Sequence, residues 1–269
     1  YFGDLIDARA SFNFAKINGA WLIEDAAHIL IPYNGIGENG DFVLYSFHKL
    51  LPIPDGALLV VRPNGPGEVK KDNFKKYDYQ NLEKELNITC KSSLAPYIWL
   101  IKRFLQKIGI RSNGFSSKSF FEDNEIKDIK DIVKPQMSIL GKRLLIKLLN
   151  NLDEETKIRR NNLKNWIKYL SISGLIKNQV SKIIEIKTPY LAVLNYKKSK
   201  DANKAFASLL NAKIPVSTWP DLPPEVLIDD QKQKVAIRLR SCRIFLPVHR
   251  SITEKSIKSG TGKINFQTN

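Results

Sequence analysis

The sequence predicts an α/β fold, on three observations. Three short apolar strands crowd into residues 21–61, and the first two leave polar groups at their carboxyl ends. A helix-period pattern of leucines follows from about 138 to 170. Beyond about 187 the pattern changes to strands and turns around a short helix, which reads as an α+β lobe with its own sheet.

The elements follow in order. Residues 4–18 read as a helix, with Leu5, Ala8, Phe12 and Ala15 as a stripe and Asn18-Gly19 as its stop. Trp21-Leu22-Ile23 is a short buried strand that ends in Glu24-Asp25. Asp41 leads into a second strand, Phe42 to Phe47, ending at His48-Lys49. The turn Pro52-Ile53-Pro54-Asp55-Gly56 separates it from a third strand, Ala57 to Val61. Residues 62–92 are loop and lysine-rich surface.

Ser92 or Ser93 caps a helix from about 94 to 108, with Pro96 in its first turn. Residues 110–133 read as an exposed connection, which places a domain boundary at 135/136. Residues 1–135 form the first domain and 136–269 a smaller α+β domain. In the latter, Ser138 starts a helix with Leu140, Leu144, Leu145, Leu148 and Leu149 as its stripe. Asp153 precedes a long helix to about Leu170, with Leu163, Trp166, Ile167 and Leu170 facing the core. Tyr190 to Leu194 is a strand, Asn203 to Leu210 a short helix, and Ile214 to Pro220 an extended edge segment. Arg243 to Val248 is the last strand, before a helical turn at Thr253-Glu254.

Composition excludes several classes. At 269 residues and 43% hydrophobic, the chain is long enough for a substantial core. No stretch approaches the roughly 20 apolar residues of a membrane span. The formal charge of +16 comes mostly from lysines spread over the whole chain, and no nucleic-acid motif accompanies them. That charge predicts nonspecific affinity for polyanions; without a spanning stretch or a nucleic-acid motif, neither a membrane nor a specific nucleic acid is expected as partner. Cys90 and Cys242 form neither a disulfide scaffold nor a metal pair, which favours a reducing, cytoplasmic setting. His28, His48 and His249 lack zinc-ligand spacing, so no metal site is expected. Gly35, Gly37 and Gly40 lack the strand–helix context of a dinucleotide loop.

Two positions carry chemistry. Asp25 follows one buried strand, within Glu24-Asp25-Ala26-Ala27-His28, and Lys49 follows another. If the strands share a parallel sheet, both side chains open onto one crevice. An amine that bonds an aldehyde and a carboxylate that keeps a pyridine nitrogen protonated suit pyridoxal phosphate. The same residues also read as a helix or turn cap and a solvated lysine.

Three segments resemble the DegT/DnrJ/StrS-type sugar aminotransferases, a family of fold-type-I pyridoxal phosphate enzymes. They are Trp21 to His28 with Gly40-Asp41, Tyr45 to Lys49 with Pro54-Asp55-Gly56-Ala57, and Leu144 to Leu170 with Leu246-Pro247-Val248-His249. The third includes Arg159-Arg160-Asn161. The resemblance implies the large domain's mostly parallel sheet, incomplete here, followed by a small domain. It implies that Asp25 pairs with the ring nitrogen, His28 contacts the ring oxygen, Ser46 binds the phosphate and Lys49 carries the cofactor. His48 competes with Lys49 for that place; a histidine there accompanies sugar dehydration in some relatives. An amino donor, a keto acceptor and a homodimer are implied as partners.

Ser46 stands only three residues before Lys49, and the turn reads Pro54-Asp55-Gly56-Ala57 where the family has Gly-Glu-Gly-Gly. Family members also have well over a hundred residues before the strand of Asp25, holding a phosphate loop and a ring-stacking aromatic. The expectation is therefore a divergent member, truncated at its amino end. The alternatives are a noncatalytic relative or polyanion-binding protein, and a dehydratase using the same cofactor.

Overall fold

The computed structural model describes residues 8–33, 35–62, 94–107, 137–176, 180–183, 188–219, 222–228 and 230–264. These fall into two compact units. The first holds the described residues up to 107 together with 137–156, and the second those from 157 onward. The expected boundary at 135/136, the connection 110–133 and the lysine-rich stretch lie outside the described residues.

In the first unit, α1 (Ala8–Ile17) buries Ala8 and Ala15 and leaves Phe14 and Ile17 exposed. Leu5 of the expected stripe lies outside the described residues. The helix stops where the Asn18 N–H bonds Phe14 O and Gly19 takes φ +62°. Strand β1 (Ile23–Asp25) begins later than the apolar run suggests. The Leu22 N–H donates to the Asp41 carboxylate at 2.9 Å, so that residue enters the ladder through its carbonyl alone.

Strand β2 (Phe42–Tyr45) pairs in parallel with β1, with Asp25 opposite Leu44. It ends two residues before the expected Phe47. Ser46 turns the chain, and Phe47–Leu50 forms a single helical turn, α2, that buries Phe47 and Leu50. The apolar run thus continues into the core as helix, which alternation cannot separate from strand. The turn at Pro52–Gly56 returns the chain into β3 (Leu58–Val61), antiparallel to β2. The described sheet, β1-β2-β3, is therefore mixed where a mostly parallel one was expected.

The two faces of this sheet differ. Glu24, Val43 and Tyr45 are buried on one. Asp25 shares the other with Ile23, Leu44 and Leu59, all exposed, while Trp21 packs its ring 5.5 Å from that of Phe42.

Helix α3 (Ala95–Lys107) follows the expected span, with Pro96 in its first turn. Its expected cap, Ser92 or Ser93, lies outside the described residues. Helix α4 (Ile139–Leu149) is capped by Ser138, whose Oγ accepts from the Gly141 N–H at 3.0 Å. The Ser138 N–H and Oγ each donate to Asp55 Oδ1 at 3.1 Å, which ties this cap to the turn before β3. Gly56 sits at φ +127° against Met137, where a side chain would be strained.

Helix α5 (Leu152–Ile172) begins in the first unit, and its later turns contribute to the core of the second. Leu163, Trp166 and Leu170 are buried there, as the sequence indicates. A three-stranded antiparallel sheet lies beside them, ordered β4 (Val180–Ile183), β5 (Leu191–Tyr196), β6 (Arg243–Pro247). Helix α6 (Ser199–Asn211) buries Ala202, Ala205, Phe206 and Leu209, a stripe at helical spacing. Two further helices, α7 (Pro224–Ile228) and α8 (Asp230–Cys242), have no counterpart in the sequence reading. Helix α8 is polar along most of its length, so it shows no apolar stripe to detect. The edge segment bridges Ser217 to Phe245. Helix α9 (Glu254–Thr261) starts from a capping box made by Thr253 and Ser256.

One anchor lies in the Arg159-Arg160-Asn161 element and a second directly after it. Arg159 is buried and donates to Pro189 O at 3.2 Å and Tyr190 O at 3.3 Å, ahead of β5. The neighbouring Asn162 Nδ2 donates to Val248 O, His249 O and Ile252 O at 3.1, 3.2 and 2.9 Å. Trp166 Nε1 donates to Pro247 O at 2.8 Å. The Leu246–His249 segment is therefore held from one face of α5.

Candidate active site

The site begins with the parallel pair. The Ala26 N–H bonds Leu44 O, which carries the β1–β2 ladder one step past Asp25. The chain then turns. Asp25 Oδ1 accepts the Ala27 N–H at 3.0 Å, and the Ile29 N–H bonds Ala26 O. Ala26 and Ala27 are buried, Asp25 is exposed, and His28 is half-buried. Asp25 thus projects from the carboxyl end of a strand on the open face of the sheet.

Lys49 comes from the next element. The helical turn α2 starts at Ser46, directly after β2, so its residues also stand at the carboxyl end of the parallel pair. Lys49 Nζ lies 3.4 Å from His28 Nε2. The His28 pKa is lowered from 6.5 to about 4, first by burial and next by the Lys49 charge, with Asp25 opposing them. His28 is therefore neutral at pH 7, and its ring feels both Asp25 and Lys49.

The remaining two expected residues form a separate pair. Buried Ser46 places Oγ 3.2 Å from His48 Nδ1, and the same nitrogen lies 3.1 Å from Gly56 O. His48 is thereby engaged with the turn before β3. The structure so brings Asp25, His28 and Lys49 into one electrostatic neighbourhood, and ties Ser46 and His48 to each other.

The sequence reading passed over the residues that hold this geometry. Glu24 is buried on the opposite face from Asp25, and its carboxylate accepts the backbone N–H groups of Gly37, Asn39 and Gly40. Arg62 donates to Gly40 O at 2.9 Å and Gly37 O at 2.8 Å. Buried Asp41 accepts from the Leu22 N–H and pairs with Lys16 at 3.4 Å. The available signal was an acid inside an apolar strand, followed by a loop with three glycines whose N–H groups need an acceptor.

No protein-family model matches the chain, and no curated protein sequence matches it. Solved structures do. A DegT DnrJ EryC1 StrS aminotransferase from Brucella abortus superposes with a TM-score of 0.54 at 14% identity, covering 98% of this chain and 61% of that one. Helicobacter pylori PseC, an aminotransferase involved in the biosynthesis of pseudoaminic acid, gives 0.54 at 15% identity, covering 98% and 64%. Bacillus subtilis ntda with bound cofactor PMP gives 0.54 at 14% identity, covering 98% and 54%. The chain spans less than two thirds of the length of these structures. Over that length it has the fold of the DegT/DnrJ/EryC1/StrS and sugar aminotransferases.

Proposed function

We propose that this chain is part of a pyridoxal phosphate-dependent aminotransferase that acts on a keto-sugar or related small molecule, and that Asp25, His28 and Lys49 belong to its cofactor site. The observation that carries the reading is the approach of Lys49 to a neutral His28 beside Asp25, at the carboxyl end of a parallel strand pair. The fold likeness supports it, since the similar structures are aminotransferases and one holds the aminated cofactor.

The donor set fits the cofactor. Asp25 offers a carboxylate for a pyridine nitrogen. Ala26 and Ala27 keep side-chain bulk away from a flat ring. A neutral His28 offers one N–H donor and one lone pair for a ring oxygen. Lys49 offers the only type of side-chain amine that bonds an aldehyde, and its Nζ would also hold the proton taken from the substrate carbon in the 1,3-transfer. When bound, the cofactor supplies an electron sink for the substrate carbanion.

Ser46 and His48 would lie near the cofactor phosphate. His48 is the competitor for the place of Lys49, and its bonds to Ser46 and Gly56 favour Lys49. The reaction partners would be an amino donor and a keto acceptor, in a longer chain that pairs as a homodimer.

The test is spectroscopic. The natural full-length protein, purified with pyridoxal phosphate, is expected to show the absorption band of lysine-bound cofactor near the visible edge. Lys49→Ala should remove the band with unchanged circular dichroism, while His48→Ala should retain it. A band that survives Lys49→Ala reassigns the amine. No band in the wild-type protein overturns the reading in favour of a noncatalytic relative.

A further inference from the structure

Helix α3 exposes a large apolar face. Leu94, just before it, is 77% exposed, Tyr97 61%, Ile101 59% and Phe104 63%, with Ile98 and Leu100 also open. At about 100° per residue these six fall within an arc of about 160° on one side of the helix. Lys102 and Arg103 are exposed outside that arc, one beyond each margin. Arg103 lies 5.3 Å from the centre of the Trp99 ring. The helix Ala95–Lys107 contains no Asp or Glu.

We propose that this helix lies on an anionic lipid bilayer, with its apolar arc in the headgroup–acyl boundary and its cations at the phosphates. The inference is independent of the cofactor reading. An apolar arc bordered by cations, with aromatic residues on it, is the pattern of interfacial helices. Charge complementarity selects the occupant. Lipid phosphates meet both basic margins at once, and the chain's net charge of +16 adds long-range attraction. At 13 residues the helix is about 20 Å long, short of the roughly 30 Å hydrocarbon core. No described helix is long and apolar enough to cross a membrane. The composition argues against a span, and a helix lying in the interface needs none.

The test is co-sedimentation of the full chain with vesicles of phosphatidylcholine, alone or with phosphatidylserine. Binding to the serine-containing vesicles alone is expected, weakening as salt rises. Ile101→Asp with Phe104→Asp should weaken it at least about tenfold. Lys102→Gln with Arg103→Gln should weaken it about fivefold per cation. Circular dichroism confirms that each variant folds. Failure of the wild-type chain to sediment overturns the proposal. So does binding indifferent to the Ile101/Phe104 pair, which would place it on the scattered lysines. A change in oligomeric mass in that pair without loss of vesicle binding would instead assign the face to a protein contact.

Discussion

Lys49 Nζ stands 3.4 Å from His28 Nε2, and a cation there can only hinder protonation of the imidazole. Burial acts in the same direction and more strongly, which puts the His28 pKa at about 4. The chain has three histidines, so substituting His48 and His249 assigns the His28 signal in a proton NMR titration. Lys49→Gln should raise the His28 pKa toward 6.5, and Asp25→Asn should lower it. A His28 titration unmoved by Lys49→Gln would refute the contact. The sign for stability follows. Between pH 6.5 and about 4 the unfolded chain binds a proton that the folded chain refuses. Stability is then full above 6.5, falls as pH drops through that window, and loses nothing more from His28 below about 4. Urea denaturation at stepped pH reads this out.

Glu24 stands behind the same site and closes the loop from Gly37 to Gly40 through three backbone N–H donors. Removing the carboxylate strands donors with little access to water. Glu24→Ala should therefore cost about 2–4 kcal/mol of unfolding free energy, and Glu24→Gln, which keeps one carbonyl acceptor, about half of that. Equal and small losses in the two variants would show that water replaces the carboxylate and that the loop is not clamped.

The parts of this architecture that alternate or repeat in sequence were legible. Leu163, Trp166 and Leu170 lie where their spacing puts them, and Ser138 caps the helix that it precedes. The Asp25 and Lys49 strands were legible as apolar runs ending in polar groups. Their ends were not, because Phe47 is equally apolar as the last residue of a strand and the first of a helical turn. Helix α8 escaped because a helix with few buried apolar residues has no period to read. Glu24 escaped because its donors are backbone N–H groups of a loop 13 to 16 residues away, and only the folded turn brings them to it. The three-carbonyl anchor fell one residue beyond the Arg159-Arg160-Asn161 motif, on Asn162, for the same reason.

That anchor makes its own prediction. Asn162 is buried on α5 and serves three carbonyls after β6. Asn162→Leu matches its size roughly and leaves those acceptors without their donor. A loss of about 2–4 kcal/mol is expected. Trp166→Phe removes only the Nε1 bond to Pro247 O and part of a ring, so its cost should be smaller, about 1–2 kcal/mol. Denaturant midpoints at unchanged slope measure both. If Trp166→Phe costs more than Asn162→Leu, packing of the indole, and not the carbonyl anchor, holds the segment to α5.

Gly40 and Gly19 separate two reasons for glycine. Gly19 has φ +62° and nothing within 4 Å of an added Cβ, so alanine there meets backbone strain alone, about 1 kcal/mol. At Gly40 an added Cβ would stand 2.5 Å from Phe42 O, 2.7 Å from Glu24 Cβ and 3.2 Å from Glu24 N. These belong to the paired strands β1 and β2, whose register fixes Asp25. Neither backbone can retreat without breaking that pairing or the Glu24 clamp, so Gly40→Ala should cost about 3 kcal/mol or more. Because the displaced strand carries Asp25, Gly40→Ala should also shift the His28 titration, while Gly19→Ala leaves it alone. Equal costs at the two positions, with His28 undisturbed in both, would mean that the loop yields and the strands do not depend on it.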